Sequence, residues 1–393
     1  MSHKQVHVIT KYFYPVTAGI ETNILETYST LVNRWNIVIH TTRDEYLAHN
    51  SLPSTQTLRG LSIKRYSFKS ELIGYHPIID YTQADVIALH NFNLFFAMLF
   101  FRFLWHKITG RKSYQLIVTP HGGFNPEWSM YTLPIRIIKY CYHYTLGTFF
   151  LNYVADKIRV VSQWEKIEMV KKGVHPAKIT VISNGLENEA YLDVEKYASK
   201  SIKTFVKQTG KYIIQIGRIY PIKNYETVIR ALPSIPNVKY VIVGQIEKSK
   251  QYQNYQVSLQ NLASELGVQD RLIFVGVVRS WDKYYLLKHA QLMVHMAIWE
   301  SYCNVVHEAM SQGLVCIVAN NTALPLLIKD GVNGYCVSTY DSQGLAHKVN
   351  YVLKNKSSKT VRQMQQNNRR VGQDDSWQSV AEKMYALYNS KEK

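Results

Sequence analysis

Cysteine is scarce in this chain, with four residues in 393. The four (Cys141, Cys303, Cys316 and Cys336) show no CxxC spacing, so the sequence offers neither a zinc-ligand pattern nor a disulfide framework. Such usage is typical of a reducing, cytoplasmic environment. With only 19 glycines and 11 prolines, the chain is also neither collagen-like nor of low complexity.

A long uncharged apolar run is missing as well. A membrane span needs roughly 18 such residues, and the nearest candidate, residues 91–105, is interrupted by Arg102. The first residues lack the basic region and small-residue cleavage site of a signal peptide. Two interpretations of residues 91–105 stay open. One is a buried helix of an α/β domain, and the other is an interfacial helix that enters a bilayer beside Lys107, Arg111 and Lys112.

Acidic residues are few: the chain has 28 Asp and Glu but 46 Lys and Arg, which gives a formal net charge of +18. This surplus predicts an acidic partner such as phosphate groups, nucleic acid or an anionic membrane. Nucleic acid is disfavoured, since no helix-turn-helix, zinc-finger or RNP-type pattern occurs and no single helix concentrates the basic residues.

Short apolar runs alternate with helix-length segments along both halves of the chain. Runs that are apolar on both faces predict parallel strands covered by helices on both sides, and therefore a doubly wound α/β fold. The predicted strands are residues 6–9, 37–40, 85–89, 116–119, 157–161, 179–182, 212–216, 239–243, 272–275, 292–295 and 315–318.

The alternation pauses over the polar residues 187–209, which we interpret as a linker between two domains. We therefore predict an N-terminal domain over residues 1–195 and a C-terminal domain over residues 205–372. A final segment, residues 373–393, carries an apolar stripe at helical spacing that must be buried against another element. The stripe consists of Trp377, Val380, Met384, Leu387 and Tyr388.

Two turns that contain glycine follow predicted strands of the first half. Ala18-Gly19 precedes a predicted helix, where the backbone and the helix N-terminus favour an anion. This turn is not a GxGxxG fingerprint, so a Rossmann dehydrogenase loses its main support. In the second turn, His121 and two glycines follow a strand, at the edge where parallel sheets bind ligands. A loop histidine without a function is the alternative.

Two cations follow the first strand of the second half. Gly217-Arg218 ends this strand, and Lys223 precedes a helix. The Arg218 guanidinium can bind two phosphate oxygens, while Lys223 supplies a mobile point charge. The pair predicts a diphosphate site, and two solvated surface charges are the alternative.

The most specific segment is residues 300–313, ESYCNVVHEAMSQG. If a helix begins near Asn304, Glu300 lies on the preceding loop and Glu308 on the second helical turn. A carboxylate accepts two hydrogen bonds and so suits vicinal hydroxyls. The spacing therefore predicts that one glutamate binds a ribose and the other a sugar, with a diphosphate between them. A zinc protease is excluded, because Ser311 occupies the second histidine position of HExxH.

In this order the motifs resemble the retaining nucleotide-sugar glycosyltransferases of the GT-B fold, glycosyltransferase family 4. This resemblance implies an α/β protein with two doubly wound, Rossmann-like domains facing a central cleft, and a hexosyl transfer that retains the anomeric configuration. The motifs that carry it span nearly the whole chain: AGIE at 18–21, HGG at 121–123, SNG at 183–185, GR…KN at 217–224, VIVG at 241–244, FVG at 274–276, E-x7-E at 300–308 and LP…DGVNG at 324–334.

The resemblance also implies roles for individual residues. Arg218 and Lys223 would bind the donor diphosphate, Glu300 and His121 would meet the transferred sugar, and Glu308 would hold the ribose. The base would lie near Val277 and Val278, and the last helix would cross back onto the N-terminal domain. The implied catalytic set is His121, Arg218, Lys223 and Glu300. The implied substrate-binding set is Gly19, Asn184, Gly217, Val278, Asn304, Val305 and Glu308.

The chain departs from the family pattern in three places. Ala18 stands where a second glycine is common, residues 301–304 replace a glycine-rich stretch, and Leu326 replaces the glutamate of LPE. Residues 301–304 carry larger side chains than glycine and would reshape the sugar pocket. The identity of the donor sugar therefore stays open.

No D-x-D motif occurs in the chain. We therefore predict a metal-independent enzyme without a cofactor, with a UDP-sugar as the favoured donor. The predicted acceptor is a hydroxyl of a lipid-linked or surface polysaccharide such as lipopolysaccharide. The predicted location is the cytoplasm, with peripheral contact at the inner face of an anionic cell membrane. A non-transferase GT-B enzyme, such as a nucleotide-sugar epimerase or a phosphorylase, is the alternative.

Overall fold

The chain folds into two compact units, each built on its own sheet. The computed structural model describes residues 4–16, 18–43, 52–68, 70, 73–245, 250–371 and 375–390. Unit 1 comprises residues 1–185 and 377–393, and unit 2 comprises residues 186–376. Both sheets are largely parallel and covered by helices, so the predicted pair of doubly wound α/β domains is confirmed.

Within the described residues, the sheet of unit 1 has eight strands in the order β3-β4-β2-β1-β5-β6-β7-β8. All neighbours pair in parallel except β3 and β4, an antiparallel hairpin at the edge. This hairpin is absent from the predicted strands because β3 is polar and alternates between exposed and half-buried positions. The strands are Lys4–Ile9 (β1), Trp35–Thr42 (β2), Thr55–Leu58 (β3), Leu61–Tyr66 (β4), Val86–His90 (β5), Gln115–Thr119 (β6), Lys157–Val160 (β7) and Ile179–Val181 (β8).

Helices cover the sheet of unit 1 and include the last one in the chain. They are Gly19–Ser29 (α1), Ala97–Ile108 (α2), Leu133–Tyr142 (α3) and Gln163–Lys171 (α4), with Trp377–Asn389 (α14) returning from the end of the chain. Residues 143–147 and 150–154 form π-helical turns. Helix α14 packs on α1, and its Tyr385 and Tyr388 rings stack on Trp35 with centroids 5.3 and 5.1 Å away. The apolar stripe of the last helix is therefore buried in the core of unit 1.

The sheet of unit 2 is parallel throughout, in the order β11-β10-β9-β12-β13-β14 over the described residues. Its strands are Tyr212–Ile216 (β9), Lys239–Val243 (β10), Leu272–Gly276 (β11), Met293–His295 (β12), Cys316–Ala319 (β13) and Gly334–Val337 (β14). Its helices are Val194–Tyr197 (α5), Lys200–Thr209 (α6), Tyr225–Ala231 (α7), Lys250–Glu265 (α8), Ser280–His289 (α9), Asn304–Ser311 (α10), Leu324–Leu327 (α11), Ser342–Lys354 (α12) and Lys359–Val371 (α13).

Residues 187–209 differ from the predicted linker, because they form part of unit 2 and contain α5 and α6. The Ser199 hydroxyl caps α6 by accepting a hydrogen bond from the Ile202 amide at 3.2 Å. It also donates to Asp282 Oδ2 at 2.7 Å, which joins the start of α6 to α9. The sequence reads as a linker because both helices are short and bury few side chains.

A close approach between two strand ends supports the loop that carries Arg218. The Gly217 amide donates to the Val243 carbonyl at 2.9 Å, and Gly244 lies directly opposite. A Cβ atom at Gly244 would lie 1.8 Å from the Gly217 carbonyl oxygen. Only glycine therefore fits at the end of β10.

We expect Gly244→Ala to destabilise unit 2 by about 1–3 kcal/mol, because a collision with backbone forces the two strand ends apart. Gly217→Ala is the matched control. The atoms nearest to its Cβ would be the Tyr225 hydroxyl at 3.3 Å and the Lys223 side chain at 3.4 Å, and side chains can move. Urea unfolding of both variants measures the difference, and equal midpoints would contradict this account.

Candidate functional site

The second unit brings candidate side chains to the carboxyl ends of β9 and β12, which are neighbours in the sheet. Ligands of parallel α/β sheets bind at such ends. Lys223 closes a short 3₁₀ turn after β9, and Asn224 follows with a left-handed φ of 50°. The side-chain amide of Asn224 donates through Nδ2 to the carbonyls of Met296 and Thr339 at 2.9 and 2.8 Å. These bonds fix the start of α7 and, with it, Lys223.

A buried ionic cluster forms there around Glu300. Lys223 Nζ lies 2.5 Å from Glu300 Oε1, and His295 Nε2 lies 2.8 Å from the same oxygen. Burial alone would raise the pKa of Glu300, but the Lys223 charge and the His295 hydrogen bond lower it to about 2. Burial lowers the pKa of His295 below its ordinary value. The cluster is therefore an ionised carboxylate held by an ammonium group and an imidazole.

The loop after Glu300 leads directly into a helix N-terminus. The Glu300 amide donates to Thr322 Oγ1 at 3.0 Å, and Cys303 adopts a left-handed φ of 82° just before α10. Helix α10 begins at Asn304, as predicted. Asn304 and Val305 thus occupy its first turn, where the backbone N–H groups and the helix dipole favour negative charge.

Glu308 lies one helical turn further along α10, in a second buried ionic group. Its Oε1 lies 3.1 Å from Lys283 Nζ, and Lys283 also contacts Glu187 Oε2 at 2.9 Å. Burial raises the pKa of Glu308, since it outweighs the attraction of Lys283. The second oxygen, Oε2, is buried and has no hydrogen-bond partner among the described residues. Glu308 therefore offers an acceptor that the protein itself does not use.

The other predicted residues of unit 2 surround these two groups in different environments. Gly217 is half-buried, and its carbonyl accepts a hydrogen bond from Tyr225 Oη at 2.8 Å. Arg218 is exposed, with its guanidinium carbon 6.0 Å from the centroid of the Tyr220 ring. Val277 is exposed, whereas Val278 packs against the core. Lys223 thus contacts Glu300 directly, whereas Arg218 lies on the surface of unit 2.

Three predicted residues belong to unit 1. Gly19 is the exposed first residue of α1. Asn184 is buried, and its side-chain oxygen accepts hydrogen bonds from Asn23 Nδ2 at 2.7 Å and Arg159 Nη2 at 3.4 Å. This oxygen is therefore part of an internal polar network.

His121, the third, follows β6 with a left-handed φ of 52°. Its Nε2 lies 2.9 Å from His90 Nδ1, and the next amide, that of Gly122, donates to Glu165 Oε1 at 2.5 Å. Burial raises the pKa of Glu165 to about 7. A Cβ atom at Gly123 would lie 2.4 Å from Asn91 Oδ1, which explains the second glycine of HGG. The loop is thus held in one conformation from both sides.

Four residues that contact the candidates are not predicted from the sequence. His295 is the last residue of β12, and its position five residues before Glu300 is the one available signal. Lys283 has no motif around it, and Glu187 lies in the segment interpreted as a linker. His90 is the last residue of β5 and belongs to no motif. These residues act through contacts that depend on strand and helix packing.

The described residues also contain one group of potential metal ligands. The ligand atoms of His295, Glu300 and Cys303 all lie within 4.8 Å of one another. Burial raises the pKa of the Cys303 thiol well above its ordinary value, which favours the protonated form. Since Lys223 already neutralises Glu300, this group suits an internal ion pair better than a bound cation.

Over the described part of the chain, no helix has both the length and the apolar character that crossing a bilayer requires.

Comparisons of sequence point to one family. A model described as Glycosyltransferase Family 4 matches residues 17–189, and one described as Glycosyl transferases group 1 matches residues 198–371. The D-inositol 3-phosphate glycosyltransferases of Mycobacterium bovis and Mycobacterium tuberculosis are 25% identical over 235 residues. That alignment covers 60% of this chain and 48% of the relative, so the match spans about half of the relative's length.

Comparisons of structure agree over the whole chain. The Anabaena protein HepE, solved with UDP and glucose, has a TM-score of 0.75 at 18% identity and covers 99% of this chain and 100% of its own. A glycosyltransferase from Rickettsia africae has a TM-score of 0.76 at 15% identity, with the same coverage. WaaG, a glycosyltransferase of lipopolysaccharide biosynthesis, has a TM-score of 0.69 at 14% identity and covers 98% and 100%. At such identities these likenesses show the fold.

The two family models together account for nearly all of both units, and the fold is that of solved glycosyltransferases. The chain therefore belongs to the GT-B glycosyltransferases of family 4.

Proposed function

We propose that this protein transfers a hexosyl group from a UDP-sugar to an acceptor hydroxyl, with retention of configuration and without a metal ion. The observation that carries the proposal is the cluster of Lys223, Glu300 and His295 at the end of β12, next to the N-terminus of α10. Further support comes from HepE, which was solved with UDP-glucose and with UDP and glucose.

The positive groups of unit 2 stabilise the leaving group. When the bond from the anomeric carbon to the diphosphate breaks, negative charge grows on the phosphate oxygens. Lys223, Arg218 and the first N–H groups of α10 meet this charge where it develops. The anomeric carbon bonds to the acceptor oxygen, and the acceptor proton passes to the leaving diphosphate. His121 contacts the transferred sugar.

A cation of the protein takes the place that a metal has in other sugar transferases. The Lys223 ammonium lies on the Glu300 carboxylate, whose low pKa keeps it ionised at any working pH. A divalent cation would have to displace this ammonium from a buried site. The chain thus supplies the charge itself, and Glu300 orients both Lys223 and the hydroxyls of the donor sugar.

The unused oxygen of Glu308 accepts hydrogen bonds from the donor ribose. Glu308 Oε2 is buried without a partner among the described residues, and leaving a buried acceptor unsatisfied is unfavourable. Two vicinal hydroxyls satisfy a carboxylate well. The base then lies near Val277 and Val278, beyond the end of β11.

The acceptor is a glycan or lipid-linked glycan at an anionic membrane surface, and this part of the proposal is supported by the outer face of α2, α3 and residues 143–154. Helix α3 buries only Tyr142, although most of its side chains are apolar. We name the exposed apolar side chains of these segments the apolar face. They are Met98, Phe101, Trp105, Ile108, Leu133, Ile135, Ile137, Ile138, Tyr140, Leu146, Phe149 and Tyr153.

The parts of the apolar face on α2 and on residues 149–154 are in contact. The Phe101 ring packs edge-on against Phe150 with centroids 5.1 Å apart, and Phe149 stacks on Tyr153 at 5.4 Å. Lys107 Nζ lies 4.5 Å from the centroid of the Tyr153 ring, which joins the end of α2 to residues 150–154. Helix α2 buries one side, as expected for a helix of an α/β domain, and exposes an apolar side. Contact of that side with a bilayer stays a prediction.

The basic residues of this segment favour an anionic lipid surface as the partner of the apolar face. Residues 97–156 contain six Lys and Arg but only two Asp and Glu. Basic residues near a bilayer surface each add about 1 kcal/mol of attraction to anionic lipids. An apolar face on a segment with this surplus of basic residues thus fits the interface of an anionic leaflet.

We expect Lys223→Met to lower the turnover number about 10²- to 10³-fold, because a preorganised charge on the leaving group is lost. UDP release from a panel of UDP-hexoses, with membrane extract as the acceptor source, measures the effect. Lys354→Met, at an exposed position of unit 2, is the control and should leave turnover unchanged. Unchanged turnover in both variants would remove the site assignment, and release of an altered free sugar without acceptor would favour an epimerase.

Glu308→Gln should weaken UDP binding about 10- to 100-fold, since a charged acceptor of two ribose hydroxyls is lost. Calorimetric titration with UDP and with 2′-deoxy-UDP tests which hydroxyls are involved. The parent protein should prefer UDP, and the variant should bind both alike. A variant that keeps the full preference for UDP would contradict the ribose assignment.

The triple variant Trp105→Ser/Ile108→Ser/Ile138→Ser should lose sedimentation with phosphatidylglycerol vesicles, because three of the most exposed apolar side chains are removed. The control Val257→Ser/Tyr340→Ser changes exposed apolar residues of unit 2 and should sediment like the parent. A parent protein that stays in the supernatant at low salt would reject the membrane proposal. A change of oligomeric mass instead would assign the face to a second copy of the chain.

A further inference from the structure

Four side chains of unit 1 form a continuous hydrogen-bond chain that ends at His121. Tyr388 Oη on α14 lies 2.5 Å from Tyr28 Oη on α1, and Tyr28 Oη lies 2.9 Å from His90 Nε2. The His90 ring continues the chain, with Nδ1 2.9 Å from His121 Nε2. Tyr28, His90 and Tyr388 are buried, whereas His121 is half-buried.

Both imidazoles are neutral in this environment. Burial lowers the pKa of His90 and of His121 well below the ordinary value, and the nearby Arg159 charge lowers both further. A neutral imidazole carries one N–H donor and one bare nitrogen acceptor. The hydrogen bond at one nitrogen of each ring therefore decides what the other nitrogen can do.

The tyrosine hydroxyls give the chain a direction. Among the described residues, the Tyr388 hydroxyl has Tyr28 Oη as its hydrogen-bond partner. If Tyr388 donates to Tyr28, Tyr28 donates to His90 Nε2, and His90 must carry its proton on Nδ1. His90 then donates to His121 Nε2, and the one proton left over is the Nδ1–H of His121, on the half-buried ring.

The opposite direction leaves a proton without an acceptor. His121 would donate to His90, His90 to Tyr28, and Tyr28 to Tyr388. The buried Tyr388 hydroxyl would then have no acceptor among the described residues, and burying an unsatisfied donor is unfavourable. The first direction is thus the stable one.

We infer that Tyr28 and His90 are positioning residues that hold His121 as the Nδ1–H tautomer, so that His121 presents a donor to a ligand oxygen and not a basic nitrogen. Whether that oxygen belongs to the donor sugar rests on the proposed function. The loop supports the same geometry, because Glu165 holds the Gly122 amide and the His121 backbone is left-handed. The ring is therefore restrained by its neighbour on one side and by its backbone on the other.

Imidazole ¹⁵N spectra of the ligand-free protein, labelled at histidine, test the tautomers directly. The His121 and His90 signals are assigned by their loss in His121→Asn and His90→Asn. In the parent protein both rings should show a protonated Nδ1 and a bare Nε2. Protonation of His121 at Nε2 would overturn the inference, whether or not the protein transfers a sugar.

Two tyrosine variants separate direction from packing. Tyr28→Phe removes the donor to His90, so both rings should lose the single Nδ1–H form. Tyr388→Phe leaves the Tyr28 hydroxyl with His90 as its acceptor, so the tautomers should stay as in the parent. If Tyr28→Phe is too unstable because Tyr388 loses its partner, Tyr28→Phe/Tyr388→Phe replaces it. Parent-like spectra in the variants that lack the Tyr28 hydroxyl would contradict the assigned role.

Kinetics provide the second readout. With an active UDP-hexose, Tyr28→Phe should lower kcat about tenfold and leave KM for the donor and binding of UDP unchanged, whereas Tyr388→Phe should match the parent in both. A general loss of folding would move all of these quantities together. Failure of UDP binding in the parent would reject the proposed function and leave the spectral result standing.

Discussion

A carboxylate buried at the end of a parallel sheet must be neutralised by its neighbours, and much of unit 2 serves this requirement at Glu300. Taking such a charge out of water costs several kcal/mol unless it is paired and hydrogen-bonded. Lys223, in the turn that follows β9, and His295, at the end of the neighbouring strand β12, meet this need. The same arrangement points an ammonium group and a helix N-terminus to one region, where a diphosphate would be stabilised.

The two glutamates of the E-x7-E segment show how one residue type acquires two properties. The pKa of Glu300 falls to about 2 because a cation and an imidazole outweigh its burial. The pKa of Glu308 rises because burial outweighs the attraction of Lys283. Paired carboxylates whose environments push their pKa values apart take different roles. Here Glu300 is an ionised carboxylate whose Oε1 contacts Lys223 and His295, while Glu308 keeps an acceptor oxygen, Oε2, without a partner among the described residues.

Unit 1 depends on residues that are distant in the sequence. Helix α14 closes the core around Trp35, and its Tyr388 begins the hydrogen-bond chain that reaches His121. The opposite behaviour is seen at α3, which leaves its apolar side chains exposed. Packing therefore accounts for both observations. Helix α14 completes the core of unit 1, and no described part of the chain covers the apolar side chains of α3.

The sequence is enough to predict the alternation of strands and helices, the division into two α/β domains, and the family to which its motifs belong. These features are local, because hydrophobic periodicity and the residues at a turn act over a few positions. It also placed the start of α10 at Asn304 correctly, since the helix follows directly from its own segment. It failed at residues 187–209, where short helices with few buried side chains look like a linker.

Which side chains meet depends on the packing of whole elements in three dimensions. Lys223 and Glu300 are 77 positions apart and touch because β9 and β12 are neighbours in the sheet. Lys283 meets Glu308, and His90 meets His121, for the same kind of reason. The order of strands is settled by how whole layers pack, so no short segment contains the information that brings these residues together.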